Sequence, residues 1–125
     1  MPEFRILAVE QDPPLRDLYD MLLAERGHRV LTAQTGQEAL KVLGPDIDVV
    51  VVDLRSRKSE GRMILEALSR QAVDQRPAIV IVDGDDEAAA LVTGPRTVVL
   101  RKPFDFARFV EAIEAMASVG RPKRN

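Results

Sequence analysis

Five short aliphatic runs, Arg5–Val9, Arg29–Thr32, Asp48–Val52, Ala78–Val82 and Thr97–Leu100, punctuate this chain, and the stretches between them carry a different rhythm. Several of the runs are continuously apolar and rich in β-branched residues, the pattern of strands covered on both faces. In the intervals the apolar residues recur at helical spacing. Leu15, Leu18, Tyr19 and Leu22 fall at i, i+3, i+4 and i+7, and Phe106, Phe109, Val110 and Ile113 repeat that stripe. Such an alternation predicts right-handed βαβ crossovers and an α/β fold built on a single doubly wound, five-stranded parallel sheet. The joins carry matching punctuation. Asp12 before Pro13 fits an N-cap with proline in the first turn, and Thr35-x-x-Glu38 fits a capping box. Gly27 and Gly44 sit where helices should stop, and the helix after Asp85-Asp86-Glu87 should be short.

Composition narrows the function classes. A length of 125 residues suits one domain with one core, and 46% hydrophobic with 30% charged residues is the mix of a globular protein rather than a disordered one. The formal net charge of −2 gives no general pull toward nucleic acid or a membrane surface. With no cysteine, disulfides, thiolate catalysis and zinc–thiolate sites are excluded, and a cytoplasmic location is expected. The apolar run in MPEFRILAVEQD is too short for a signal peptide or a membrane span. No repeat or low-complexity tract is present. The basic stretch 120–125, with Arg121, Lys123 and Arg124, reads as a tail or the start of a linker.

In an open α/β sheet, ligands bind beyond the carboxyl ends of the strands. The first strand delivers Glu10, Gln11 and Asp12 there, the third Asp53, the fourth Val82 and Asp83, and the fifth Arg101 and Lys102. Strand-end carboxylates and a lysine converging on one edge suit a hard cation and a phosphate. Each residue also has an ordinary explanation. Strand-end aspartates are common helix caps, a single lysine is usually solvated, and Glu10 favours a helix N-terminus electrostatically. His28, the one histidine, reads as structural. In VVVDLRSRKSEG, Asp53 is followed by Arg55, Arg57 and Lys58, with Arg62 close behind. Those cations form either a solvated loop or a partial substitute for metal charge.

Taken together, these stretches resemble the response-regulator receiver domain of bacterial two-component signalling from Arg5 to about Ala117, which implies a receiver domain over residues 1–119. RILAVEQDPPLRDLYDMLLAERGHRVLTAQTGQEAL is similar to the family's opening, with two acids before a proline and an arginine after it. VVVDL matches the strand bearing the phosphoacceptor, Gly61 follows at the family's spacing, and LRKPFD matches its Lys-Pro-Phe signature. The resemblance implies a flavodoxin-like (βα)5 sheet with strand order 2-1-3-4-5. It implies Asp53 as the phosphoacceptor and Lys102 as the phosphoryl contact, with a cis bond to Pro103. A Mg²⁺ ion would be held by Glu10, Gln11, Asp53 and the backbone carbonyl of Arg55.

Departures from the family pattern alter those expectations. Gln11 stands where the second acid normally ligates the metal, so Mg²⁺ binding should be weak. Val82 replaces the switch hydroxyl and Val99 the switch aromatic, so the usual relay should be missing and residues 83–110 should change little on phosphorylation. The resemblance further implies a histidine kinase or phosphotransfer protein as phosphodonor. The downstream partner would be a protein or output domain docked on the face of the fourth helix, fifth strand and fifth helix. The domain itself would contact neither nucleic acid nor membrane, would leave room for a homodimer and would not act as an enzyme. One alternative is a pseudo-receiver that binds partners without being phosphorylated. An aspartate-nucleophile phosphatase would want an acid where Arg55 stands, and a flavodoxin-type nucleotide binder would want glycine or hydroxyls in QDPPLR.

Overall fold

The computed structural model describes residues 3–54, 58–83, 86–101 and 103–119. Its elements run β1 (Arg5–Val9), α1 (Pro13–Glu25), β2 (Arg29–Ala33), α2 (Gly36–Val42) and β3 (Val49–Asp53). They continue with α3 (Lys58–Ser69), β4 (Ala78–Val82), α4 (Asp86–Ala90), β5 (Thr97–Leu100) and α5 (Phe106–Ser118). The strands form one sheet in the order β2-β1-β3-β4-β5, with every pair parallel. This is the doubly wound sheet expected from the sequence.

Side chains alternate across a strand, so continuous apolar runs feed two cores at once. Val50, Val52, Ile79 and Ile81 pack with Ile64, Leu65 and Leu68 of α3 on one face. Val49, Val51, Val80 and Val82 pack with Tyr19 and Leu23 of α1 and Phe109 and Ile113 of α5 on the other. All five residues of β3 and of β4 are buried. By the same period of two, Asp53 inherits the face of Val49 and Val51, toward α1 and α5.

Strand and helix ends differ in detail from the sequence expectations. β3 runs from Val49 to Asp53, one residue later than expected, so Asp53 itself pairs in register with Val82. Asp12 occupies the N-cap position of α1 but makes no capping hydrogen bond. Pro13 and Pro14 fill the first two helical positions, which removes the second-position N–H and leaves only the third as a possible donor to the cap. Thr35 does accept from Glu38 N at 3.1 Å, while the Glu38 carboxylate reaches past Thr35 to Gln34 N at 2.8 Å. Gly27 follows α1 at φ +89°, the left-handed conformation glycine favours. Gly44 is not left-handed; α2 ends in an extended Leu43, two residues before Pro45. Phe106 departs from its stripe. It opens α5 and stays 43% exposed, whereas Phe109 and Ile113 are buried.

Gly61 fixes how closely α3 lies on β3. A Cβ there would fall 2.3 Å from Leu54 Cδ2 and 2.8 Å from Val52 Cγ1, both in the buried core. Gly61→Ala should therefore lower stability by about 1–2 kcal/mol, overpacking outweighing alanine's better helix propensity. Denaturant unfolding checks this, and a stabilised variant would mean that α3 lifts freely from the sheet.

His28 is structural, as expected. Its ring stacks on Phe4 at 5.4 Å, Nδ1 accepts from Phe4 N at 3.2 Å, and Nε2 lies 2.7 Å from Glu114 Oε2. Because Nδ1 accepts, the ring proton is on Nε2 and is donated to Glu114. Arg26 donates to the same carboxylate at 2.9 and 3.1 Å, tying the end of α1 to α5. The Arg26 bond holds the Glu114 carboxyl below the ordinary carboxylate range against the opposing effect of burial, and the His28 bond lowers it further. A depressed folded-state value means that this contribution is fully present above the ordinary carboxylate range and is lost as pH falls through the lowered value. Acid unfolding of wild type should thus be steeper than that of Glu114→Gln. Parallel pH profiles of the two proteins would show that the clamp is not linked to protons.

Candidate functional site

The carboxyl ends of β1, β3 and β4 converge through the sheet register. Val9 pairs with Val52, so Glu10 and Asp53 are the next residues along neighbouring strands, and Asp53 pairs with Val82. Both acids are buried, Glu10 at 2% exposure and Asp53 at 1%. Buried carboxylates require polar partners. Glu10 Oε2 accepts from Asp12 N at 3.1 Å, so this carboxylate braces the turn into α1. Arg16 Nη1 donates to the Glu10 carbonyl at 3.4 Å. Asp53 Oδ2 accepts from the hydroxyl of Tyr19 at 3.2 Å. Sequence reasoning placed Tyr19 in a helical core stripe and missed this contact, which spans 34 residues. A polar tip on a stripe otherwise aliphatic was the available signal.

The remaining strand-end residues are distributed less evenly. Gln11 is partly exposed, and Asp12 and Asp83 are exposed. Asp83 adopts φ +55°, a left-handed conformation that aspartate tolerates better than most residues, and its N–H donates to Leu100 O at 2.8 Å. Val82 is fully buried and Val99 partly buried, both apolar at positions where the expected relay needs a hydroxyl and a ring. Lys102, with its bond to Pro103, and Arg55 and Arg57 lie outside the described residues, as does the Lys58 side chain. Arg62 is engaged by two glutamates. Its Nε pairs with Glu66 at 3.1 Å and its Nη1 with Glu87 at 2.9 Å, bridging α3 to α4.

Downstream of β5, Asp105 caps α5 by accepting from Arg108 N at 2.8 Å. A cleft of about 630 Å³ lies beside this join, with Val99, Arg101, Phe104 and Arg108 among its lining residues. At the opposite edge of the sheet two buried arginines serve the fold. Arg76 donates to the carbonyls of Val92 and Thr93, and Arg96 to those of Arg76 and Val119. Burial lowers the Arg76 guanidinium from its ordinary value.

By donor chemistry the two buried carboxylates, Glu10 and Asp53, and the amide oxygen that Gln11 carries at the end of β1 suit a hard divalent cation, but as a set of low charge. Among the described residues no three histidine, cysteine, aspartate or glutamate side chains form a metal-holding group. Among the described residues, too, no helix is long and apolar enough to cross a membrane.

Comparison with known proteins agrees with this geometry. A family model for the response regulator receiver domain matches residues 6–114. The transcriptional regulatory protein GlrR of Escherichia coli K12 is 30% identical over 112 residues, covering 87% of this chain and 25% of that protein. The transcriptional activator protein PfeR of Pseudomonas aeruginosa is 27% identical over 117 residues, covering 93% of this chain and 38% of that protein. This chain thus spans about a quarter to two-fifths of the length of those relatives. Among solved structures, the non-phosphorylated HemR receiver domain from Leptospira biflexa superposes with a TM-score of 0.79 at 26% identity, covering 98% of this chain and all of that one.

Proposed function

This chain belongs to the response-regulator receiver family, and we propose that it accepts a phosphoryl group on Asp53 from a histidine kinase or a phosphotransfer protein. The observation that carries the proposal is the placement of Asp53. It is the last residue of β3, in register beside Glu10 and Val82, on the edge where such sheets hold ligands. In the transfer, an Asp53 oxygen forms the bond to phosphorus as the donor's phosphorus–nitrogen bond breaks. The electron pair leaves on the imidazole nitrogen, which takes up a proton. Such a reaction needs in-line positioning and charge neutralisation more than covalent assistance. The sheet register holds Asp53, the carboxylate assigned to attack, beside Val82, and Lys102 is assigned the phosphoryl oxygens. A bound Mg²⁺ would supply the positive charge that offsets the negative charge of the transfer. Glu10, Gln11 and Asp53, with the Arg55 carbonyl, are assigned to hold it, weakly for want of a third acid.

On this reading the domain, residues 1–119, is a signalling module and not a turnover enzyme. Its downstream partner, a protein or an output domain, docks on the α4–β5–α5 face. The alternative, an interaction module that is never phosphorylated, draws on Gln11 and Val82, which remove a metal charge and a phosphoryl hydrogen bond. Incubation with acetyl phosphate and Mg²⁺ followed by intact mass measurement separates the two. The phosphoacceptor reading expects the mass of one phosphoryl group, and an unchanged mass overturns it in favour of the interaction module.

A further inference from the structure

Tyr19 sits where nothing in the proposed phosphotransfer requires a phenol. It is 1% exposed on the inner face of α1, and its hydroxyl donates to Oδ2 of Asp53. A buried phenol needs an acceptor in any protein; here the acceptor is the carboxylate assigned to react. The other side of the ring is equally committed. It stacks on Phe109 of α5 with centroids 4.4 Å apart and 24° between planes, and Phe109 in turn stacks on Phe104 at 6.4 Å. Phe109 is fully buried among Val51, Val80, Val82 and Ile113, so it has little free volume in which to absorb a displacement locally. Phe104 lies in the join from β5 to α5 and lines the cleft beside Arg101 and Arg108.

We propose that Tyr19 is a sensing residue: its hydroxyl reports the state of Asp53, and Phe109 passes that report to α5. This rests on the reading of Asp53 as phosphoacceptor. An unmodified carboxylate is a charged acceptor with two equivalent oxygens. An acyl phosphate is not. If the phosphoryl group is carried on the other oxygen, Oδ2 becomes the carbonyl of an ester-like group and a weaker acceptor. If it is carried on Oδ2, the phenol loses its place and must find a phosphoryl oxygen. Either way the hydrogen bond that sets the Tyr19 ring changes with the modification, and the stacked Phe109 must follow. A signal shifts a two-state equilibrium only through a differential interaction with the two states, and Tyr19 supplies one on the α1–α5 side. Val82 and Val99 offer none on the β4–β5 side.

The chain contains one tyrosine and no tryptophan, so its intrinsic ultraviolet emission comes from Tyr19 alone. A phenol that donates to a carboxylate emits weakly. Two perturbations are compared in wild type and in Tyr19→Phe. One is Asp53→Asn, which needs no phosphodonor; the other is acetyl phosphate with Mg²⁺, compared at equal labelled fraction by mass. The expected result is a rise in Tyr19 emission under both perturbations. Amide shifts should concentrate on Phe109, Ala112 and Ile113, so that of the stretch 83–110 expected from the sequence to change little only residues 86–101 stay quiet, and Tyr19→Phe should lose the α5 shifts. Phe109→Leu keeps the phenol but removes its stacking partner, so the emission response should persist while the α5 response falls. Equal α5 shifts in wild type and Tyr19→Phe overturn the proposal, as does emission that ignores Asp53→Asn. Failure of wild type to gain mass overturns the phosphoacceptor reading and this proposal with it, whereas a mass gain with emission indifferent to Asp53→Asn overturns the proposal alone.

Discussion

Asp53→Asn should abolish the mass gained from a small phosphodonor while leaving the protein folded. The substitution keeps the shape of the side chain and one oxygen to accept from Tyr19, but an amide is not a nucleophile toward phosphorus. Loss should be complete because no other acid has the same placement. Glu10 is buried but braces Asp12 N–H, and Asp12 and Asp83 are exposed at the ends of their strands. Burial of Asp53, 1% exposed and in register with Val82, also removes bulk water, which strengthens every charge interaction on its oxygens. Intact mass measurement after incubation with acetyl phosphate decides the matter. Persistent labelling of Asp53→Asn would transfer the acceptor role to another acid, with Asp12 and Asp83 the first to examine by peptide mapping.

Gln11→Asp should tighten Mg²⁺ binding by roughly tenfold or more, since hard-cation affinity follows the charge of the oxygen ligands. One added unit charge about 4 Å from a cation gains roughly 4 kcal/mol per cation charge at the effective dielectric near a protein surface. Repulsion from Glu10 and Asp53 returns part of that gain, because the register sets all three acids on one edge. The same repulsion makes a second, opposite expectation. Without metal, Gln11→Asp should melt below wild type, and saturating Mg²⁺ should more than restore it through linkage. Calorimetric titration and thermal melts with and without Mg²⁺ test both halves. Unchanged affinity would show that the amide is not the limiting ligand, and an undiminished metal-free melting temperature would show that the three acids do not crowd.

What the sequence by itself determined is local or periodic in character. Runs such as VVVVD and AIVIV can be buried on both faces only in a covered parallel sheet, so strand identity and the two-core architecture follow from composition and spacing. The strand-end position of Asp53 follows too, because a carboxylate that ends an apolar run must lie at the sheet's edge. A one-residue error in the bounds of β3 did not matter to that conclusion. Capping position was legible for both Thr35 and Asp12, but whether a side-chain bond forms was not: Thr35 accepts from Glu38 N, whereas Asp12 makes no such bond.

The tertiary structure alone decided which distant groups meet. Tyr19 and Leu22 share one stripe in the sequence, yet only the rotation of α1 over β3 points the Tyr19 hydroxyl at Asp53. His28 meets Glu114 across 86 residues, and Arg76 finds the carbonyls ending the α4 segment 16 and 17 residues away. None of these pairs has a spacing signature, because helix packing on a sheet is set by the summed fit of many side chains and not by any two. Phe106 shows the converse: its periodicity belongs to the core, but at the first position of α5 it stays exposed. Periodicity fixes which face of an element is apolar; the docking of elements against one another fixes what that face touches.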